Sequence, residues 1–206
     1  MKTISLALIS IFCFATMSCK AQTTISLSDF SSGDLKNDNY IKDTNGVLDP
    51  FIGTWKWTNG NSEFTVVLEK KEMYNPTYLN SSERINDYYS DVIIGGYKYI
   101  ENGQVIVNTL NYTTQDAWSS DYAPIFGSFH NNGSQYKIYL KVQDEIIGKL
   151  LTGHFEITQY LTLPNDDISP IEATWRVWNR EGIYINEEAP PSEISIPEEI
   201  VLQKMP

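Results

Sequence analysis

Tyr136-Lys137-Ile138-Tyr139-Leu140-Lys141-Val142 decides the fold class of this chain. Tyr136, Ile138, Leu140 and Val142 alternate with Lys137, Tyr139 and Lys141. Successive side chains of a strand point to opposite sheet faces, so this spacing predicts a half-buried strand. An amphipathic helix would instead bring its apolar residues round every three or four positions.

The same period runs outward on both sides. Phe64, Val66 and Leu68 alternate with Thr65, Val67 and Glu69, while Leu151, Gly153, Phe155 and Ile157 face away from Thr152, His154, Glu156 and Thr158. Trp175, Val177 and Asn179 oppose Thr174, Arg176 and Trp178. Val105-Ile106-Val107 adds a β-branched run, of the kind that packs well on a pleated surface. Asn59-Gly60 separates Trp55–Trp57 from Phe64–Leu68, and Asn102-Gly103 separates Tyr97–Ile100 from Val105–Val107. Asn-Gly tolerates the positive φ that both central positions of a type I′ hairpin turn require. Gly95-Gly96 interrupts the run from Val92 to Tyr99 and is expected to mark a bulge or a sharp bend. No helix longer than a turn or two is expected, and short strands with frequent turn residues indicate a sandwich or a barrel.

The N-terminus reads as an address. Lys2 precedes an apolar run from Ile4 to Phe14 that ends at Thr16-Met17-Ser18-Cys19. The run is shorter than the roughly 20 residues a spanning helix needs and fits a secretory signal. A small residue before a cysteine at this place resembles the bacterial lipoprotein processing site, although Thr16 stands where that family usually has Leu. The resemblance implies that residues 1–18 are removed and that Cys19 carries the lipid. It also implies a membrane anchor at Cys19 in the outer membrane, facing the periplasm because no acidic stretch follows the cysteine. The competing reading is cleavage after Ala21, giving a soluble secreted protein that starts at Gln22. Residues 19–46 are poor in apolar residues and read as the lipidated cysteine plus a flexible tether. Residues 47–206 then form one domain, with an acidic, proline-bearing loop near 186–199 and a short last strand over Ile200–Lys204.

Phe51-Ile52-Gly53-Thr54-Trp55 resembles the G-x-W start of calycin-type barrels, including lipocalins. That resemblance implies a single antiparallel meander closing into a calycin/lipocalin-like barrel. It implies a short turn over Leu48-Asp49-Pro50, with Trp55 closing the barrel base beside Gly53. It also implies an arginine from a late strand over the indole, Arg176 or Arg180. The leader Ser18-Cys19-Lys20-Ala21-Gln22, the stretch Leu48–Trp55 and the closing Val201-Leu202-Gln203-Lys204 are together similar to a family of uncharacterised lipoproteins of flavobacteria and other Bacteroidetes.

Chemistry-bearing motifs are sparse. The net charge is −11, which argues against nucleic acid and anionic headgroups, since phosphate binding runs on Lys and Arg. Both cysteines, Cys13 and Cys19, lie at or before the expected cut, so the folded part is expected to hold no disulfide, Cys nucleophile or Cys metal ligand. His130 sits beside the turn Asn131-Asn132-Gly133; His154 and Glu156 share a strand face and read best as a polar surface. Asp166-Asp167 fall in a loop, and no G-x-S-x-G, phosphate loop or H-E-x-x-H is present. No catalytic residue, metal or cofactor is therefore expected. The unusual resource is aromatic, at 13% of the chain. Trp118, Tyr122 and Trp178 are candidates for the mouth of a ligand site. The expected role is non-catalytic binding of a small hydrophobic or glycan ligand inside the barrel, or of a protein partner of unknown kind. The alternatives are a structural or assembly subunit of the outer envelope, and a glycan-acting enzyme using His154, Glu156 or Asp166 or else a glycan-binding module.

Overall fold

A computed structural model describes residues 22–36, 38–75, 88–111, 123–129, 136–162, 168–178 and 194–206. The described strands, in chain order, are β1 (Thr24–Ser26), β2 (Asn39–Lys42), β3 (Gly53–Asn59), β4 (Ser62–Tyr74), β5 (Tyr88–Glu101), β6 (Gln104–Asn108), β7 (Ile125–Phe129), β8 (Lys137–Asp144), β9 (Lys149–Thr162), β10 (Ile168–Trp178) and β11 (Glu199–Lys204). Single 3-10 turns over Ser32–Asp34 and Asp49–Phe51 complete the described elements. The second is the turn expected at Leu48-Asp49-Pro50.

Eight strands close into an antiparallel barrel in the order β5-β4-β3-β11-β10-β9-β8-β7, and β7 returns to pair with β5. The order is sequential except where β11 slots between β3 and β10 to close the ring. β5 pairs with β4 on one edge; its other edge is shared by β2, β7 and β6 in turn. Gly95-Gly96 falls where β7 gives way to β6. The β4–β5 register runs unshifted through the pair, so neither a bulge nor a break lies there. The reason for two glycines is proximity: a Cβ on Gly95 would sit 2.3 Å from the Val67 carbonyl oxygen, and one on Gly96 would sit 2.7 Å from that of Thr109.

The hairpins follow the turn residues, with one displaced by a position. Glu101 pairs with Gln104 across Asn102-Gly103, and both central residues have positive φ (50° and 83°), as a type I′ turn demands. At the β3–β4 turn, Asn59 is itself the last paired residue, opposite Ser62, and the loop is Gly60-Asn61 with φ 57° at Gly60.

The period-two faces meet inside the barrel. Trp55, Phe64, Val66, Leu68, Ile93, Tyr97, Ile125, Ile138, Phe155, Trp175 and Leu202 all have no accessible surface. Trp55 and Phe155 meet edge-on at 5.0 Å, and Phe64 lies 5.2 Å from Trp175. Side chains without accessible surface border no water-sized void. Among the described residues, large aromatics fill this part of the barrel interior.

Residues 22–46 also depart from expectation. The stretch read as a flexible tether is built into the fold. β1 pairs in parallel with β2, and β2 in parallel with β5. Leu27, Tyr40 and Ile41 are buried, and Leu27 and Ile41 join the main core. A few apolar residues suffice because the segment borrows an existing core instead of building its own.

Candidate functional site

Gly53, Trp55 and a cation do form a closing cluster, but the cation is Lys204. Trp55 Nε1 donates to the Phe51 carbonyl oxygen at 2.8 Å, which ties the indole to the turn before β3. Lys204 Nζ stands 5.2 Å from the Trp55 ring centroid and donates to the Pro50 carbonyl oxygen at 3.0 Å, a cation–π arrangement with a hydrogen-bonded head. Lys204 pairs directly with Trp55 in the β11–β3 register, so the two side chains share a face. Gly53 has φ 122°, and a Cβ there would lie 3.3 Å from Lys204 Cε. Glycine thus serves both the backbone angle and the passage of the lysine stem. Burial alone holds the Lys204 ammonium below its ordinary pKa.

Arg176 does not cover the indole. It alternates with Trp175 and Val177, which point inward, so its own side chain points out, where Nε meets Glu199 at 3.3 Å. Trp178 is on the same outer face, 38% exposed, with its ring edge-on to His154 at 5.7 Å. It flanks a histidine on the outer face of the wall. Burial, with Lys137 second, pushes the His154 imidazole below its ordinary value. Glu156 beside it is paired with Lys137 at 2.8 Å. Cys19, Trp118, Tyr122, His130, Asp166, Asp167 and Arg180 lie outside the described residues.

Among the described residues, a cleft lies where the N-terminal segment meets the barrel. Its volume is about 370 Å³. Leu27, Phe30 and Leu35 form one side; Tyr74, Tyr88, Val92, Phe126, Phe129, Tyr139 and Leu140 form the other. Ser90, Asp91, Ser128, Lys141 and Thr152 supply the polar groups. Pockets of roughly 300 Å³ and above, mostly apolar with a few polar groups, are the usual form of small-ligand sites.

Two local devices shape this cleft. The first is Asp91, 2% exposed. Its carboxylate accepts from Tyr40 Oη at 2.6 Å and from the backbone N–H groups of Asp43 at 2.9 Å and Met73 at 3.1 Å. These bonds lock the N-terminal segment to β4 and β5; burial and the Asp91 contact push the Tyr40 hydroxyl well above its ordinary value. Asp43 continues the lock, accepting from the Val47 and Leu48 N–H groups and from Lys70, which also contacts Asp49. The second device is an irregularity in β4 between Lys71 and Tyr74, where Met73 takes φ 51°. Such irregularities re-aim the side chains beside them, and Tyr74 here packs 5.3 Å from Phe126 on the cleft wall.

A family model described as a family of unknown function, DUF6705, matches residues 1–205. The chain belongs to that family. No curated protein and no solved structure matches it. Among the described residues, no group of three His, Cys, Asp or Glu is placed to hold a metal ion, and no helix is long and apolar enough to cross a membrane.

Proposed function

We propose that this protein is a non-catalytic binding lipoprotein of the cell envelope that takes a small, ring-bearing hydrophobic or glycan ligand in the cleft between its N-terminal segment and the barrel. The observation that carries this reading is the contrast between two spaces. Among the described residues, tryptophans and phenylalanines occupy the barrel interior. The cleft has six aromatic residues, Phe30, Tyr74, Tyr88, Phe126, Phe129 and Tyr139, with hydroxyls and Lys141 among them. Aromatic faces suit apolar rings and the apolar faces of sugars, while scattered hydroxyls orient polar substituents.

The test is native mass spectrometry of the protein purified from its own envelope, as wild type and as Thr152→Trp and Phe126→Ala. Thr152 lines the cleft from the outer face of the wall, so a tryptophan there fills the space. The reading expects a retained small molecule in the wild type and its loss in both variants. A ligand retained equally by all three would place binding elsewhere.

The anchor is tested separately. Labelled fatty acid should enter the wild-type chain and not Cys19→Ser, and the variant should leave the membrane fraction. A second reading, a partner-binding subunit, is favoured by apolar residues on the outer wall: Leu150, Trp178 and Val201 are 56%, 38% and 46% exposed. It predicts crosslinks to a single envelope protein from that wall, abolished by Trp178→Glu.

A further inference from the structure

A second cleft, of about 450 Å³, lies beside the closing cluster and shares no lining residue with the first. Val47, Pro50, Ile168, Tyr136 and Tyr160 line it together with Lys204, whose ammonium sits at the carbonyl oxygen of Pro50, another lining residue. We infer that this cleft binds a small monocarboxylate with an apolar body, its head on Lys204 and its body against Pro50, Ile168 and the two tyrosine rings.

Lys204 has the capacity for such a ligand. An ammonium has three donors; one goes to the Pro50 carbonyl oxygen, and one side of the group faces the Trp55 ring. None of the ion pairs among the described residues includes Lys204. A part-buried cation without an ion-pair partner lacks the compensation that buried charges normally have, and a carboxylate would provide it.

Tyr160 supplies an independent sign. Its hydroxyl is buried and has no hydrogen-bond partner among the described residues, which is uncommon for a buried polar group. Its ring packs edge-on against Tyr136 at 5.2 Å. A rotation of the side chain toward the cleft gives that hydroxyl the second carboxylate oxygen as acceptor.

The electrostatics select one negative charge. Asp49 also lines this cleft and is already engaged by Lys70. A dianion would place surplus charge against Asp49 in a chain whose net charge is −11. The apolar walls exclude a bare hydrated anion as the best fit, because they gain only from apolar surface.

The probes are sodium octanoate, sodium acetate and 1-octanol, added to the isotope-labelled mature chain and followed by NMR. The Trp55 indole N–H and the Lys204 Cε signals are the reporters. Octanoate should shift both saturably, more tightly than either acetate or octanol, and should raise the Lys204 pKa. Lys204→Met should weaken octanoate by about tenfold or more, and Tyr160→Phe by a smaller factor. No saturable shift at either reporter, or a loss below about twofold in Lys204→Met, overturns the inference. If Lys204→Met does not fold, Ile168→Glu decides. Ile168 is 69% exposed, and a new carboxylate there should weaken octanoate while sparing octanol; equal octanoate affinity overturns the inference. Loss of ligand from the first cleft leaves these readouts unchanged.

Discussion

Gly53→Ala tests the account of the closing cluster most directly. At φ 122° an alanine is held in a region that side-chain-bearing residues rarely occupy, which costs on the order of 1–3 kcal/mol. Its Cβ would also sit 3.3 Å from Lys204 Cε. If the lysine retreats, part of a cation–π contact of about 0.5–2 kcal/mol is lost. Together these predict a loss of about 1–5 kcal/mol. The assay is equilibrium urea unfolding followed by near-ultraviolet circular dichroism, with the denaturant slope required to stay unchanged so that the midpoint reports stability. Repeating the substitution in a Lys204→Ala background separates the shares, because the backbone cost persists and the contact cost vanishes. A loss below about 0.5 kcal/mol in the wild-type background would refute the strained geometry at Gly53. Equal losses in the two backgrounds would refute the passage of the lysine stem beside it.

Tyr40→Phe removes the hydroxyl that donates to buried Asp91 and should cost about 1–3 kcal/mol by chemical denaturation; a neutral result would show that the N-terminal segment is not locked through this bond. Trp175→Ala empties the centre of the barrel, and a loss of about 3–5 kcal/mol in the same assay is expected. Met73→Gly relieves a left-handed methionine at φ 51°; glycine's greater chain entropy offsets part of the gain, leaving a stabilisation of up to about 1 kcal/mol. His154 should titrate below 6.5 by NMR because burial disfavours its charged form. The folded state then binds fewer protons than the unfolded chain between the folded pKa and 6.5. Stability should therefore be unaffected by this group above 6.5 and fall as pH drops through that window. Trp178→Ala uncovers the ring and should move the titration back up; no movement would remove Trp178 as the source of the burial.

The strands were legible because one face of each is buried in a shared core. Ile138, Leu140 and Val142, or Phe64, Val66 and Leu68, are all buried as their alternation predicts, while Tyr136 begins its run still 43% exposed. The alternation also held the answer about the covering cation. Arg176 alternates with the inward Trp175, so it had to face out, whereas Lys204 shares its parity with buried Leu202. Of the two arginines that the family pattern offered, Arg176 faces out and Arg180 lies outside the described residues, and the cation over the indole is Lys204. The N-terminal segment was illegible for a different reason. Its parallel pairing with β5 and its bonds to Asp91 are contacts between distant residues, and nothing local in Asn39–Lys42 announces them. The cleft shares that origin, since its two sides come from segments far apart in the chain.

The placement of β11 governs when this protein can fold. β11 is the stave between β3 and β10, yet it is made after every other strand of the ring. While the ribosome is still extending the chain, β3 and β10 each present a row of unpaired amides and carbonyls, and the tryptophans behind them have no lid. Closure must wait for Leu202 and Lys204, and it joins residues separated by most of the chain, the kind of pairing that makes folding slow. A truncation before Glu199 should leave a chain with two open edges that aggregates instead of a smaller barrel.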